Sequence, residues 1–231
     1  MTVIICAGGM RSAKTYDAIN LARAYHSDGR SVRLFQPRKN TRDVIDGKPV
    51  WRSGTDKFLK TYIADVEWYT SREEILDSAS NFEVFGFEEH HWYPEDYVQL
   101  VLELNAMEKT VIDVGLNYYH NGKPVPQFEE LSQLKSVMLR EGACAICDVD
   151  AKKGLKTLAT RTQMLIDGQF PFYDSPTDVA EESGDRFGGV EKRVSHVYYP
   201  VSIKNWQVLP PRNSSLMAEY QKYFLDVKSN V

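Results

Sequence analysis

Short apolar runs alternate with amphipathic segments through the first half of the chain. Buried strands are predicted for the apolar runs at residues 3–6, 31–35, 82–87 and 110–116. Apolar side chains recur at near-helical spacing over residues 15–25 and 94–107, which predicts two helices. Strands and helices that alternate with short links predict an α/β fold, a mostly parallel sheet with helices on both faces.

The segments between these elements carry weaker patterns. Residues 39–57 are polar and rich in turn residues, which predicts a loop, and residues 62–69 are strand-like in part. Ser71 followed three residues later by Glu74 matches a capping box and predicts that a helix begins there.

The composition of the chain changes after about residue 140. A Cys-x-x-Cys knuckle, a lysine-rich insert and a strand-poor run of Asp, Ser, Pro and Gly follow. Residues 213–227 have the apolar stripe of an amphipathic helix. These changes predict an α/β domain over residues 1–140, a small second domain over 141–201 and a C-terminal tail with a helix over 202–231.

A glycine-containing segment lies between the first predicted strand and the first predicted helix. Residues 8–15 read GGMRSAKT, one residue away from the phosphate-binding pattern G-x-x-x-x-G-K-[ST]. In that pattern backbone N–H groups surround phosphate oxygens, the lysine reaches the β- and γ-phosphates, and the hydroxyl binds Mg²⁺. Ala13 replaces the second glycine, which is tolerable at negative φ and costly at positive φ. The expected nucleotide-binding residues are Gly8, Gly9, Met10, Arg11, Ser12, Ala13, Lys14 and Thr15.

Two adjacent carboxylates, Glu88 and Glu89, follow the third predicted strand. Since successive side chains of a strand point to opposite sides, we expect the two carboxylates to have different roles. One is expected to reach Mg²⁺ beside Thr15, and the other to take a proton from a substrate hydroxyl. We expect these acids and the segment at residues 8–15 to lie at the ends of neighbouring strands and to face one nucleotide.

Composition and charge limit the remaining function classes. The chain has 231 residues, of which 42% are hydrophobic and 26% charged, and its net charge is −4. An acidic total gives no bulk attraction to nucleic acid or to anionic membranes, and no apolar run approaches the roughly 18 residues of a membrane span. The start reads as a strand rather than a signal peptide, and three cysteines are no disulfide framework. These features predict a cytoplasmic protein with no nucleic-acid or membrane partner.

An ordered set of motifs resembles the thymidine kinases of the small, tetrameric, zinc-containing type. Residues 8–15 resemble the family's G-P-M-F-S-G-K-[ST], and residues 88–93 (EEHHWY) resemble its D-E-[AG]-Q-F-F. Residues 115–125 resemble G-L-D-x-x-F-x-x-x-P-F, and residues 159–165 resemble A-x-R-T-Q-R-L. The order and spacing of the motifs hold from Val3 to about Pro200.

The resemblance implies a RecA-like phosphate-loop fold and Mg²⁺-dependent transfer of the γ-phosphoryl group of ATP to the 5′-hydroxyl of a pyrimidine deoxynucleoside. It implies a homotetramer, and a flexible lasso at residues 159–195 that closes over the nucleoside. Glu89 is then the general base, and Lys14 and Arg42 act on the phosphates. Thr15 and Glu88 serve Mg²⁺. The side chains expected around the nucleoside are Met10, Trp92, Leu116, His120, Val125, Thr162 and Arg193.

Departures from the family motifs cluster at this expected site. Glu88 stands for Asp, His120 for an aromatic residue, Val125 for Phe, and Arg193 for a lasso Tyr. In one account the pocket accepts a modified pyrimidine or an already phosphorylated substrate. Arg193 and His120 would then bind the added negative charge or oxygen of that substrate. In the other account the site binds nucleotide without efficient transfer. A phosphate-loop hydrolase without a nucleoside substrate is disfavoured, because it needs neither the lasso nor Trp92.

Cys144 and Cys147 have the spacing of a structural zinc site. Such a site needs four ligands, and the family takes two more from a later C-x-x-[CH]. That motif falls near residues 197–200, where His196 is the adjacent candidate. Either these residues bind Zn²⁺, or the two thiols lie in a knuckle that packing holds.

Overall fold

A computed structural model of the chain describes residues 2–10, 12–41, 43–53, 61–63, 65–135, 137–141, 148–166, 169–175, 196–212 and 214. At residues 61, 62, 141, 148, 196 and 197 the description covers the backbone only. The described part includes both glutamates at residues 88 and 89 and the first strand of the expected lasso.

Parallel strands form the central sheet of the molecule. In chain order the strands are β1 (Thr2–Ala7), β2 (Val32–Gln36), β3 (Val44–Ile45), β4 (Lys48–Pro49), β5 (Trp51–Ser53), β6 (Thr61–Ile63), β7 (Glu67–Trp68), β8 (Val84–Phe87), β9 (Thr110–Gly115), β10 (Val137–Glu141), β11 (Arg161–Ile166) and β12 (His196–Val201). Six of them form one sheet in the spatial order β10-β1-β9-β8-β2-β7, and each of these pairings is parallel. Antiparallel pairs form from β3 and β4, β5 and β6, and β11 and β12.

Helices cover both faces of this sheet. In chain order they are α1 (Lys14–Ser27), α2 (Arg72–Asp77), α3 (Tyr97–Ala106), α4 (Pro126–Ser132) and α5 (Asp148–Ala151), with 3₁₀ turns at Ala79–Asn81 and His90–Trp92. Side chains of β1 alternate between two apolar cores. Val3 and Ile5 pack in the core that contains α3 and α4, whereas Ile4 and Cys6 pack in the core that contains α1. The predicted α/β fold is therefore confirmed.

In the described part of the chain, the structure contains no helix with the length and apolar character needed to span a membrane.

The phosphate loop, residues 8–15, and the paired glutamates do not follow neighbouring strands, so that expectation is wrong. β9 lies between β1 and β8 and pairs with both of them. After β8 the chain passes through α3 and enters β9, which lies between β8 and β1 in the sheet. The order of strands along the chain therefore differs from their order across the sheet. Because all three strands are parallel, their carboxyl ends still lie at one edge.

The segment at residues 39–57, predicted as a loop, contains three strands and a hairpin. β3 and β4 are joined by Asp46 and Gly47, whose φ angles are 52° and 75°. Positive φ at both positions is the geometry of a type I′ turn, which Asp-Gly favours. The loop prediction is wrong because the polar composition of the segment hides this turn signal beside Val44 and Ile45.

The segment after residue 140 has more strands than its composition predicts. β11 and β12 pair over their full lengths, from Arg161 opposite Val201 to Ile166 opposite His196. The two strands are far apart in the sequence, so no local hairpin pattern announces them. α4 and β10 are likewise absent from the prediction. The division of the chain into three parts stays a prediction, and the helix predicted at 213–227 lies, except for residue 214, outside the described residues.

The capping box gives a correct helix start. The backbone N–H of Glu74 donates to the hydroxyl oxygen of Ser71 at 3.2 Å, and α2 begins at Arg72. One of the N–H groups that a helix start leaves without a partner is thereby satisfied.

We expect Ser71→Ala to lower the free energy of unfolding by about 1 kcal/mol, because the N–H of Glu74 loses its acceptor. Ser132→Ala is the matched control, since the Ser132 hydroxyl donates to the carbonyl oxygen of Glu129 and caps no N–H group. We expect the control to stay within about 0.5 kcal/mol of the parent protein. Urea denaturation followed by circular dichroism measures both, and equal midpoints would contradict the capping role.

Candidate functional site

The phosphate loop leaves β1 and enters α1. The backbone N–H of Gly8 donates to the carbonyl oxygen of Gly115 at 3.2 Å, which ties the start of the loop to the end of β9. Lys14 is the first residue of α1, its side chain is buried, and its Nζ donates to the carbonyl oxygen of Gly9 at 3.5 Å. The lysine therefore lies over the loop, where the helix N-terminus adds positive charge.

Ala13 adopts the left-handed conformation, with φ 65° and ψ 11°, at the N-cap of α1. A side chain in this conformation costs about 1–2 kcal/mol per residue, and glycine avoids that cost. The sequence alone left the sign of φ open at this position, and the structure gives the costly one. The loop thus carries backbone strain next to Lys14.

Glu88 follows β8, and its carboxylate is buried beside the phosphate loop. It is hydrogen-bonded to Thr15, and its Oε2 atom has no hydrogen-bond partner among the described residues. Burial raises the pKa of Glu88 well above its usual value, and the charges of Glu89 and Asp43 raise it further. The hydrogen bond from Thr15 and the charge of Lys14 oppose this rise in pKa.

Glu89 lies in a different environment. Its backbone is left-handed, with φ 56° and ψ 55°, and starts the turn His90–Trp92. Its Oε2 atom lies 3.7 Å from Nδ1 of His91, and its side chain is 13% exposed, so a ligand can reach it. Both glutamates lie beyond the end of β8, and the chain turns at Glu89, so the alternation of side chains along a strand does not apply to them.

The groups at this edge of the sheet suit Mg²⁺ and phosphate. A hydroxyl and a carboxylate, from Thr15 and Glu88, belong to the oxygen ligands that Mg²⁺ prefers. The Oε2 atom of Glu88 is a buried acceptor without a partner in the described part of the chain, which a cation would satisfy. Lys14 and the N-terminus of α1 supply positive charge for phosphate oxygens.

Asp43, an acid that the sequence did not indicate, acts on Glu88 electrostatically. Its Oδ1 atom pairs with the guanidinium of Arg52 at 2.7 Å, and its Oδ2 atom accepts from Nδ2 of Asn40 at 3.1 Å. The buried amide of Gln36 donates to the carbonyl oxygens of Asn40 and Asp43 at 3.0 and 3.1 Å. No local motif marks Asp43, because its environment depends on β5, which supplies Arg52.

A second group that the sequence did not indicate lies behind Glu89. The ring nitrogens of His90 lie 2.7 Å from Oδ2 of Asp113 and 2.8 Å from the carbonyl oxygen of Leu116. Burial by itself lowers the pKa of His90, but the charge and hydrogen bond of Asp113 and the bond to Leu116 raise it above its usual value. Because a carboxylate and a carbonyl oxygen both accept, the ring of His90 donates at both nitrogens and forms a buried ion pair with Asp113.

The antiparallel pair of β11 and β12, termed the β11–β12 hairpin despite the long segment between the strands, reaches the phosphate loop through Thr162. Its buried hydroxyl oxygen accepts from the backbone N–H of Met10 at 3.0 Å. The guanidinium of Arg161 lies over the ring of Tyr118, 4.5 Å from its centroid, which ties the hairpin to the segment after β9. The expected lasso strand thus begins in contact with the loop.

Four other residues expected around the nucleoside come from the segments after β8 and β9. Trp92 ends the 3₁₀ turn, and Leu116 follows β9 directly and is half-buried. His120 is buried, and its carbonyl oxygen accepts from Nε1 of Trp206 at 2.8 Å. Val125 is fully buried in the core at the start of α4.

Several expected site residues lie outside the described part of the chain: Arg11, Arg42, Cys144, Cys147, Arg193 and the side chain of His196. Within the described residues, no three His, Cys, Asp or Glu side chains form a group that could hold a metal ion. Both alternatives for the cysteine knuckle therefore stay predictions.

Known proteins resemble the chain over most of its length. The family model for thymidine kinase matches residues 1–175. A thymidine kinase from Chloroflexus aurantiacus is 30% identical over 179 residues, which cover 76% of this chain and 84% of the relative. One from Coprothermobacter proteolyticus is 31% identical over 106 residues, which cover 46% of this chain and 50% of the relative.

We expect Ala13→Gly to raise the free energy of unfolding by about 0.5–1 kcal/mol. Relief of the left-handed strain, ~1–2 kcal/mol, exceeds the extra unfolded-state entropy of glycine, ~0.4–1 kcal/mol. Glu108→Gly is the matched control, because Glu108 has φ 62° and lies just beyond α3, before the opposite end of β9.

Urea denaturation compares the two glycine variants, and we expect similar stabilisation from both. A loss of stability in Ala13→Gly alone would contradict the strain at Ala13, because the alanine side chain would then contribute more than its backbone costs.

Proposed function

The chain belongs to the thymidine kinase family, and we propose that it transfers the γ-phosphoryl group of ATP to the 5′-hydroxyl of a pyrimidine deoxynucleoside. The observation that carries this proposal is the hydrogen bond between Thr15 and Glu88. It joins the first turn of α1 to the acid after β8, across the intervening β9. The anion-binding loop and the paired acids therefore converge, which a phosphoryl transferase needs and a chance strand-turn-helix does not explain.

Glu89 is the residue that we propose as the general base. It follows Glu88 directly, and its half-buried carboxylate is open to a ligand. A carboxylate within hydrogen-bond reach can accept the proton of the 5′-hydroxyl as that oxygen attacks phosphorus. The strained backbone of Glu89 supports this role, since strain of this kind clusters at functional sites.

The remaining groups at the edge of the sheet are proposed to bind and orient the reactants. Lys14 and the loop N–H groups hold the phosphates, while Thr15 and Glu88 hold the cation. Bound Mg·ATP would supply the transferable phosphoryl group and the cation that neutralises its charge.

The nucleoside is proposed to lie between the turn after β8 and the β11–β12 hairpin. Trp92 stacks beside the base, and Met10, Leu116 and Thr162 line the pocket. The contact between Met10 and Thr162 supports this placement, because it brings the hairpin to the loop at 3.0 Å. A homotetramer, bound zinc and a cytoplasmic location stay predictions.

A second candidate function is nucleotide binding without efficient transfer. The observation behind it is Ala13, because the phosphate-binding pattern has a glycine at this left-handed position and the methyl group of alanine lies in the loop instead.

A substrate panel separates these candidates. We expect phosphoryl transfer from labelled ATP with Mg²⁺ to at least one pyrimidine deoxynucleoside or its monophosphate. We expect Lys14→Ala to abolish the transfer, because the phosphates lose their lysine. Folded protein that binds ATP and turns over no member of the panel would reject the proposal and support the second candidate.

We expect Glu89→Gln to lower kcat by about 10²–10⁴-fold, because an amide cannot accept the proton. ATP affinity, measured by calorimetry, should stay unchanged in this variant. Glu95→Gln is the matched control, since Glu95 is exposed and lies in the same connection between β8 and α3. A Glu89→Gln enzyme with the activity of the control would show that Glu89 is not the base.

A further inference from the structure

Three buried polar side chains lie behind the paired glutamates, and each is 0% exposed: His90, Tyr97 and Asp113. Nδ1 of His90 lies 2.7 Å from Oδ2 of Asp113, and Nε2 lies 2.8 Å from the carbonyl oxygen of Leu116. The hydroxyl of Tyr97 donates to Oδ1 of Asp113. These three side chains with the Leu116 carbonyl are termed the His90 clamp.

Each polar atom of the His90 ring has a partner inside the protein. A carboxylate and a carbonyl oxygen only accept, so both ring nitrogens of His90 donate. The positive ring balances the charge of Asp113, and Tyr97 satisfies the second carboxylate oxygen. No atom of the ring is left for a substrate, so His90 can act on the reaction only through other residues.

The His90 clamp begins one residue after the proposed base. Glu89 has a left-handed backbone with φ 56°, and such strain persists only where the surroundings hold it. The ring of His90, fixed at both nitrogens, holds the chain at the next position. The clamp is therefore placed to maintain the geometry of Glu89.

The other end of the His90 clamp is fixed to the strand beside the phosphate loop. The ring packs so closely on Gly115 that a Cβ atom there would lie 2.4 Å from it. Gly115 pairs with Ala7 of β1, and its carbonyl oxygen accepts from Gly8 at 3.2 Å. The ring thus rests on the part of the sheet that carries the loop.

Fold stability alone does not account for this arrangement. Apolar side chains of similar volume often replace a buried ion pair without loss of stability. Apolar contacts lack the direction of N–H···O bonds, which fix a ring in position and orientation. A group that holds a neighbouring catalytic residue in place needs such directional bonds.

We propose that the His90 clamp is a positioning device that holds Glu89 at a fixed place relative to the phosphate loop. His90, Asp113 and Tyr97 are then positioning residues of the phosphoryl transfer, and this inference rests on the proposed role of Glu89. Loss of the clamp lowers kcat and leaves the KM for ATP unchanged, because the β1–β9 pairing holds the loop independently.

Two variants distinguish the effect of the directional hydrogen bonds from the effect of the volume that the side chains fill. The triple variant His90→Leu, Tyr97→Phe, Asp113→Leu replaces the His90 clamp by apolar groups of similar size. Asp113→Asn keeps the bonds in neutral form, since its amide can donate to Nδ1 of His90 and accept from Tyr97. We expect a loss in kcat of at least about 10-fold in the triple variant, because a misplacement of about 1 Å costs about 100-fold. The Asn variant should stay within about threefold.

Amide hydrogen exchange tests the His90 clamp without any activity. The N–H of Trp92 donates to the carbonyl oxygen of Glu89 at 2.9 Å and reports the turn, whereas the N–H of Gly8 reports the loop. We expect exchange at Trp92 to accelerate at least about 10-fold in the triple variant, while Gly8 keeps its rate. If no nucleoside is phosphorylated but Trp92 responds in this way, the proposed function fails and the positioning of the turn stands.

A folded triple variant with the parent kcat and the parent exchange rate at Trp92 would overturn the proposal. Equal acceleration at Trp92 and Gly8, with kcat and KM changed together, would also overturn it, since the role would then be structural only. If the triple variant does not fold, His90→Gln carries the same test, because one end of its amide is an oxygen that cannot donate, so either Asp113 or Leu116 loses its donor.

Discussion

Parallel pairing of β1, β9 and β8 is the constraint from which the arrangement of the site follows. Parallel strands end at the same edge, and strands that are two positions apart are separated by roughly 10 Å. β1 ends in the phosphate loop and β8 ends in the paired glutamates, so the two meet only through side chains that reach across the end of β9. Thr15 and the carboxylate of Glu88 make that contact.

Much of the fold could be predicted from the sequence, because its signals are local. Apolar runs, helical spacing and the Ser71 cap each depend on a few neighbouring residues, and so did the overlooked turn at Asp46 and Gly47. The position of β9 could not be read in the same way, because it depends on which strands pair across the whole domain. The same holds for the hairpin of β11 and β12.

The same distinction between local signals and long-range pairing applies to the residues of the site. Lys14, Thr15, Glu88 and Glu89 belong to motifs with fixed spacing, so the sequence indicates them. His90 and Asp113 are 23 positions apart and meet only because β8 and β9 are neighbours. Nothing in the adjacent histidines or in the strand of Asp113 shows that one would neutralise the other.

The edge of the sheet concentrates features that would be unfavourable in isolation. Ala13 and Glu89 have left-handed backbones, and Glu88 is a buried carboxylate with a raised pKa. The apolar cores on both faces of the sheet supply the stability that such features consume, since burial of one large aliphatic side chain contributes about 1.5–3 kcal/mol. The packing of the two cores thus offsets the unfavourable free energy of the residues at the edge.

The N–H of Met10 donates to the hydroxyl of Thr162, and in the proposed function the same N–H belongs to the loop that holds the phosphates, so the two acceptors would compete for one hydrogen. An N–H that points at a hydroxyl oxygen is not available to an anion, so a docked hairpin leaves the loop one donor short. An anion that takes this N–H in turn deprives the hairpin of its anchor. Such antagonism is reciprocal by thermodynamic necessity: docking of the hairpin lowers the affinity of the loop for the anion by the same factor by which the anion lowers the docking equilibrium.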